Sequence, residues 1–275
     1  RDRGALDEAE QLAFQVTHEA PDYLSAYDFL ASVHEAQGRL TDAQHSLQRG
    51  ADASPHNTIR QRHVGDVAAR NKDFLTAEKA YGRVIDRSRG STLRTMDDFA
   101  NLNRVLVERG NLTAARRIAA DMKREWRGDN QAEMAALVSE SLCLNAEKLP
   151  EKAKALIDKA LDLQNQVAAE ALEQGKHCSQ RLTVDLAHAC FVTGKDEDAH
   201  SLMRQVAAEN NEDPHLIEHI TRVFEKTGQA DAGKALLEQV SREIIELNNR
   251  GVLAARAGDL EGAVQLLIQA ADKVP

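Results

Sequence analysis

Three independent markers repeat at one interval of 34 residues along this 275-residue chain: Ala9, Ala43 and Ala77; Pro21 and Pro55; Gly4 and Gly38. Self-similarity at a fixed period constrains the fold more than composition does, because each copy is too small to bury a core alone and must stack on its neighbours. Residues 24–55 show one copy. An apolar-periodic stretch carries Tyr27, Leu30, Ala31 and His34 and breaks at Gly38, and a second carries Ala43, Leu47, Gly50 and Ala51 and stops at Pro55. The spacing predicts helix, turn, helix, stop, hence an all-α chain of stacked helical hairpins.

The pattern continues with drift. The second helix of each hairpin has a small anchor: Ala9, Ala43, Ala77, Ala115, Ala153, Ala199, Gly233 and Ala263, at intervals of 34, 34, 38, 38, 46, 34 and 30 residues. A turn glycine precedes most anchors (Gly4, Gly38, Gly110, Gly194, Gly228, Gly258), with Asn71–Lys72 and Lys148 in the remaining two places. The count is seven full units and one half, the half being residues 1–20. All five prolines fall at joins or helix starts, as expected of a residue that costs about 3 kcal/mol inside a helix. The 46-residue step implies an extended helix over 161–175, with the next helix starting near Ser179. The 30-residue step implies a nearly unbroken helix over 235–252, with a kink at Asn248-Asn249-Arg250-Gly251 as the open alternative.

Tyr27, Leu30–Ala31, Gly38, Ala43, Gly50 and Pro55 resemble the tetratricopeptide repeat: an aromatic opening the first helix, a Leu–small pair one turn on, a turn glycine, small residues on the second helix and a closing proline. The resemblance implies one right-handed superhelical solenoid over residues 1–275 that binds proteins or peptides and has no catalysis and no cofactor. The family's clamp for acidic chaperone tails needs Lys and Asn one turn apart. Asp28 with Ser32 and Arg62 with Asp66 stand there instead, so the clamp is absent. Two further stretches, Ser54–Asp66 and Glu246–Val252, are similar to the repeat-bearing output half of bacterial response regulators. That similarity implies cytoplasmic two-component signalling, with the phospho-acceptor receiver outside this chain.

Composition agrees with stacked helices. The chain is 42% apolar but only 4% aromatic, so its bulk is Ala, Leu and Val. It has no run approaching the ~18 apolar residues of a membrane span and no secretory signal at its start. Its three cysteines, Cys143, Cys178 and Cys190, form no paired motif, which fits a reducing compartment. The half unit at the start and the finish at Pro275 without a capping helix are expected of a portion of a longer protein.

Charge is unevenly distributed. Residues 1–55 carry net −6, residues 56–127 carry +7 and residues 128–275 carry −10. The basic middle is either a docking surface for an acidic segment or an ordinary solvated exterior. If the first helix of each hairpin lines a concave face, Arg62, Arg70 and Arg104 converge on one trough, flanked by His63 and Asn101, where guanidinium forks suit carboxylates. Leu142 and Phe191, with Val138, Val184 and Val192, are expected to form an apolar continuation of that face. A second arrangement is self-association, with the basic middle of one chain meeting an acidic end of another. The basic middle lacks interleaved aromatics, which argues against nucleic acid.

Enzyme signals are sparse. His215-Leu216-Ile217-Glu218-His219 reads as H-x-x-E-H, an inverted zinc-hydrolase motif that places two histidines on one helix face, but no third ligand has a supporting motif. His177, Cys178, His188 and Cys190 form the other metal candidate, with Cys190 at an apolar helix position that marks it as core.

Overall fold

The computed structural model describes residues 3–174, 179–209, 213–256 and 259–272, and among them every regular element is a helix. In chain order these are α1 (Arg3–Glu19), α2 (Ser25–Ala36), α3 (Leu40–Ala53), α4 (Thr58–Arg70), α5 (Phe74–Arg87), α6 (Met96–Glu108), α7 (Leu112–Glu125), α8 (Asn130–Ala146), α9 (Pro150–Gln174), α10 (Gln180–Val192), α11 (Asp196–Glu209), α12 (Pro214–Lys226), α13 (Ala230–Arg256) and α14 (Leu260–Asp272). The chain divides into two compact units, Arg1–Met122 and Lys123–Pro275. In the first, α1 to α6 pack each on the next. In the second, successive helices pack likewise, and α8 also meets α10, α10 meets α12 and α11 meets α13. Contacts between helices one or two places apart in chain order make each unit an all-α solenoid of helical hairpins.

One device closes six of the hairpins. A residue in the left-handed region follows the first helix, and the next N–H donates back five residues: Arg39 to the His34 carbonyl, Asp73 to Ala68, Asn111 to Leu106, Leu149 to Leu144, Lys195 to Cys190 and Gln229 to Phe224, all at 2.8–2.9 Å. This is the Schellman closure, which satisfies carbonyls a helix end leaves open. The left-handed residue is glycine at 38, 110, 194 and 228, but lysine at 72 and 148, with φ of 61° and 63°. A Cβ there crowds the carbonyl and costs about 1–2 kcal/mol, of which the greater unfolded-state freedom of glycine would return part. Lys72→Gly and Lys148→Gly are therefore each expected to raise stability by about 0.5–1 kcal/mol, read as a higher urea midpoint. Gly4 departs from the expected pattern: it lies in the first turn of α1, not in a turn between helices.

The anchors sit where two helices approach closely. Ala43, Ala77, Ala115, Ala153 and Ala199 have no exposed surface, and Ala9 is half-buried. The proximity shows in polar contacts. Asn103 Nδ2 on α6 donates to the Ala115 carbonyl at 2.6 Å, and Ser141 Oγ on α8 donates to the Ala153 carbonyl at 3.0 Å. Between them pack Ala31, Leu47, Ala51, Val64, Val67 and Ala80, the shared core of α2 to α5.

Both irregular intervals correspond to long helices. Across the 46-residue step α9 runs 25 residues, and Ser179 caps α10 by accepting from Leu182 N at 3.4 Å. Across the 30-residue step α13 runs 27 residues, helical through 248–251 where the alternative was a kink. Because α13 packs on both α12 and α14, it serves as the second helix of one hairpin and the first of the next.

Candidate docking surface

The first helices of successive hairpins in the first unit, α2, α4 and α6, are tied side by side by charge. Arg60 is buried and grips Asp28 with both arms of its guanidinium, at 2.8 and 2.6 Å, while its third nitrogen donates to Ser54 Oγ. Glu35 accepts from His63 Nε2 at 2.8 Å and from Arg70. Arg62 grips Asp98, which is fully buried, at 2.6 and 2.8 Å, and donates to the Leu93 carbonyl at 3.2 Å. Asp66 accepts from Tyr81 Oη at 2.6 Å. Asn101 is buried and its Oδ1 accepts from Arg104 Nη1 at 3.1 Å.

The expected trough of arginines thus proves to be a zipper of opposite charges. Arg62, His63 and Arg70 each face a carboxylate of the adjacent hairpin, since positions 28–36 residues apart come side by side when units stack. Bidentate, half-buried pairs of this kind bind the helices to each other and leave little positive potential for a ligand. Other one-repeat pairs do the same elsewhere: Glu10 with Arg39 at 2.8 Å, Gln44 with Asp73 at 2.7 Å, and Glu78 with Arg109.

The apolar continuation is also altered. Phe191 is core, only 7% exposed, set edge-on to His200 at 5.2 Å and tilted against Phe224 at 5.3 Å. Val138 and Val184 are buried and Leu142 is half-buried, so this stretch packs the second unit internally. An apolar residue at helical spacing fits either a core or a groove, and here stacking of α10, α11 and α12 claims the aromatic.

A stripe of exposed positive charge lies elsewhere. On α5, Ala77, Ala80, Tyr81, Val84 and Ile85 face the core, and Lys79, Arg83 and Arg87 are exposed on the opposite side. They recur every four residues, so they form one stripe. None of the three forms an ion pair among the described residues. Asp86, on the same side, reaches Arg89 at 3.6 Å. The i, i+4, i+8 spacing was visible in the sequence.

The zinc motif does not assemble. His215 is exposed, Glu218 accepts from Arg222 at 2.7 Å, and His219 is half-buried with Nε2 3.5 Å from Asp185. Among the described residues no group of three or more His, Cys, Asp or Glu is placed to hold a metal ion. His177 and Cys178 lie outside the described residues. Cys190 is buried, which pushes its thiol up to about 12, so at neutral pH it remains a thiol rather than a thiolate ligand.

Two carboxylates are tuned by the interhelical pairs. Burial pushes Glu35 up, but hydrogen bonds from His63 and Arg70 outweigh it and hold the group below its usual range. Glu10 is lowered to about 2 by hydrogen bonds from Gln37, Arg39 and His34. A carboxyl held lower in the folded than in the unfolded chain contributes stability above its unfolded pKa, and that stability is lost as pH falls toward its folded one. Acid titration of the urea midpoint is therefore expected to show a loss between about pH 4.5 and 2 that is smaller in Glu10→Gln.

Together the hairpins and their period define an all-α helical-hairpin repeat protein, with no helix among the described residues long and apolar enough to cross a membrane. No protein-family model and no curated protein matches the chain. Among solved structures it is similar to a tetratricopeptide repeat protein from Parabacteroides merdae, at 11% identity over 98% of this chain and 93% of that one, with a TM-score of 0.49. It is also similar to a thermophilic tetratricopeptide repeat protein of Thermus thermophilus, at 15% identity over 74% and 99% with a TM-score of 0.44. YrrB, a repeat protein described as having an unusual peptide-binding site, aligns at 11% identity over 76% and 98% with a TM-score of 0.41.

Proposed function

We propose that the chain is a non-catalytic scaffold for protein–protein interaction that docks an acidic segment or domain of a partner on the basic stripe of α5. One observation carries this reading: Lys79, Arg83 and Arg87 are exposed on one face and form no ion pair among the described residues, whereas Arg62 and Arg70 are neutralised by Asp98 and Glu35. Exposed cations on a rigid helix steer and orient an acidic partner without an ordering cost on the scaffold's side. Arg62, His63 and Arg70 then act by fixing the spacing of α2, α4 and α6, with Asn101 and Arg104 within α6, while Leu142 and Phe191 support the second unit. The stretches Ser54–Asp66 and Glu246–Val252 support placing this docking in bacterial two-component signalling, in the cytoplasm.

The test is capture on the immobilised chain of an acidic partner from bacterial lysate, at low and at high salt, beside a Lys79→Glu/Arg83→Glu/Arg87→Glu variant. Capture at low salt is expected to fall steeply by about 0.5 M salt, where the Debye length is only a few ångströms, and to vanish in the variant. The three positions are exposed, so the variant should melt with wild type. Equal capture by both sinks the reading. If the captured protein is a second copy of the chain, the acidic stretches 1–55 and 128–275 are the docked segments and the scaffold assembles with itself.

A further inference from the structure

After proline, glycine is the residue least suited to the interior of a helix, so a glycine there calls for a reason. At three places the reason is the same. Gly50 on α3 faces Tyr27 of α2, Gly65 on α4 faces Tyr81 of α5, and Gly233 on α13 faces Phe224 of α12. A Cβ would come within 3.1 Å of Tyr27 Cβ, 2.7 Å of the Tyr81 ring and 2.6 Å of the Phe224 ring. In this chain, bare helix backbone is where an aromatic residue of the facing helix sits.

Gly82, in the middle of α5, is the exception: a Cβ there would meet nothing within 4 Å. Nor does the repeat require glycine. Counted from the anchor, Gly82 stands at +5, and the same place holds Gln48 in α3, Ala120 in α7, Asp158 in α9, Arg204 in α11 and Glu238 in α13. The opening does not come from a missing neighbour. The α4–α5 hairpin lies between α3 and α6, just as α10–α11 lies between α8–α9 and α12–α13, where Arg204 is also exposed.

The vacant seat lies within the basic stripe. Leu75, Lys79, Gly82 and Arg83 share one face at i, i+4, i+7 and i+8, and Arg87 follows one turn on. Leu75 is 50% exposed. The acids beside them already have partners, Glu78 in Arg109 and Asp86 in Arg89 at 3.6 Å, so the charge left around Gly82 is positive.

We propose that this face takes an acidic segment of a partner protein that carries one aromatic side chain. The ring covers the backbone at Gly82 beside Leu75, and carboxylates flanking it pair with Lys79, Arg83 and Arg87. This rests on the docking reading above and adds a selection that charge alone does not make. Charge steers any acidic segment to α5, and burial of the ring holds the one that fits.

The experiment uses the chain as it stands and two fluorescein-labelled 11-residue peptides of Asp and Glu, identical except for a central Phe or Ala. In anisotropy titrations at low salt the phenylalanine peptide is expected to bind about tenfold more tightly than the alanine peptide. Gly82→Gln gives α5 the residue that α3 bears at this place. It should bind the two peptides alike, and it should melt higher than wild type because glutamine suits a helix better. Lys79→Glu/Arg83→Glu/Arg87→Glu should lose both peptides. Equal binding of the two peptides by wild type, with both lost in the charge variant, overturns the aromatic seat and leaves the acidic docking standing. An advantage of the phenylalanine peptide that persists in Gly82→Gln also overturns the seat. Failure of both peptides to bind wild type overturns the seat and the docking together. Self-association seen by sedimentation and abolished by Gly82→Gln overturns the proposal by giving the seat to a second copy.

Discussion

Replacing Arg62 by methionine is expected to cost about 3–5 kcal/mol, read from urea unfolding of the whole chain, although the arginine itself is only half-buried. The reason is its partner. Asp98 is fully buried at the start of α6 and receives both arms of the Arg62 guanidinium, with Thr95 Oγ1 as a further donor at 3.0 Å. Removing the arginine leaves a buried carboxylate with one neutral donor, and a charge in that setting is costly even after the site relaxes. Arg62→Met/Asp98→Leu should recover most of the loss, because an apolar pair of similar volume needs no compensation. If Arg62→Met unfolds at the wild-type urea concentration, the zipper is an exposed ion pair of little consequence and the α4–α6 spacing is held by packing alone.

The second large effect depends on its background. Phe224 on α12 is fully buried, so Phe224→Ala should destabilise by about 3–5 kcal/mol through lost burial and a residual cavity. The anchor Gly233 on α13 lies directly over that ring: a Cβ there would meet Phe224 Cγ at 2.6 Å and Cβ at 2.7 Å. Neither atom is the free end of a flexible chain, so Gly233→Ala alone should cost about 1–3 kcal/mol by overpacking, less the nearly 1 kcal/mol that alanine contributes to a helix. With Phe224 already reduced to alanine the ring contacts are gone but the Cβ that alanine retains still lies 2.7 Å away, so Gly233→Ala should cost less there than in the wild-type background. A double-mutant cycle reads the coupling directly, and additivity within about 0.5 kcal/mol would mean that the two residues do not touch in solution.

Much of the fold was legible because its determinants are local. The 34-residue period, the turn positions including Lys72 and Lys148, the start of α10 after Ser179 and the long helices at α9 and α13 follow from spacing within one or two turns of helix. The surface was less legible because its determinants are not local. Arg62 finds Asp98 only when two hairpins stack, 36 residues apart, and the sequence names the charges without naming the pairs. Phe191 sits at a helical spacing common to cores and grooves, and its choice is made by His200 and Phe224 on other helices. The Lys79–Arg83–Arg87 stripe was readable from its four-residue spacing, but attention to the first helix of each hairpin passed over it.

The continuity of α13 bears on how the second unit comes apart. In six hairpins a left-handed residue separates the first helix from the second, so each hairpin is a discrete link in a one-dimensional chain. Through α13 there is no such joint: the helix that completes one hairpin against α12 also begins the next against α14. Melting either hairpin must therefore break into a shared rod. Amide protons of α12 and α14, which pack on opposite stretches of sequence, should then exchange as a single cooperative block.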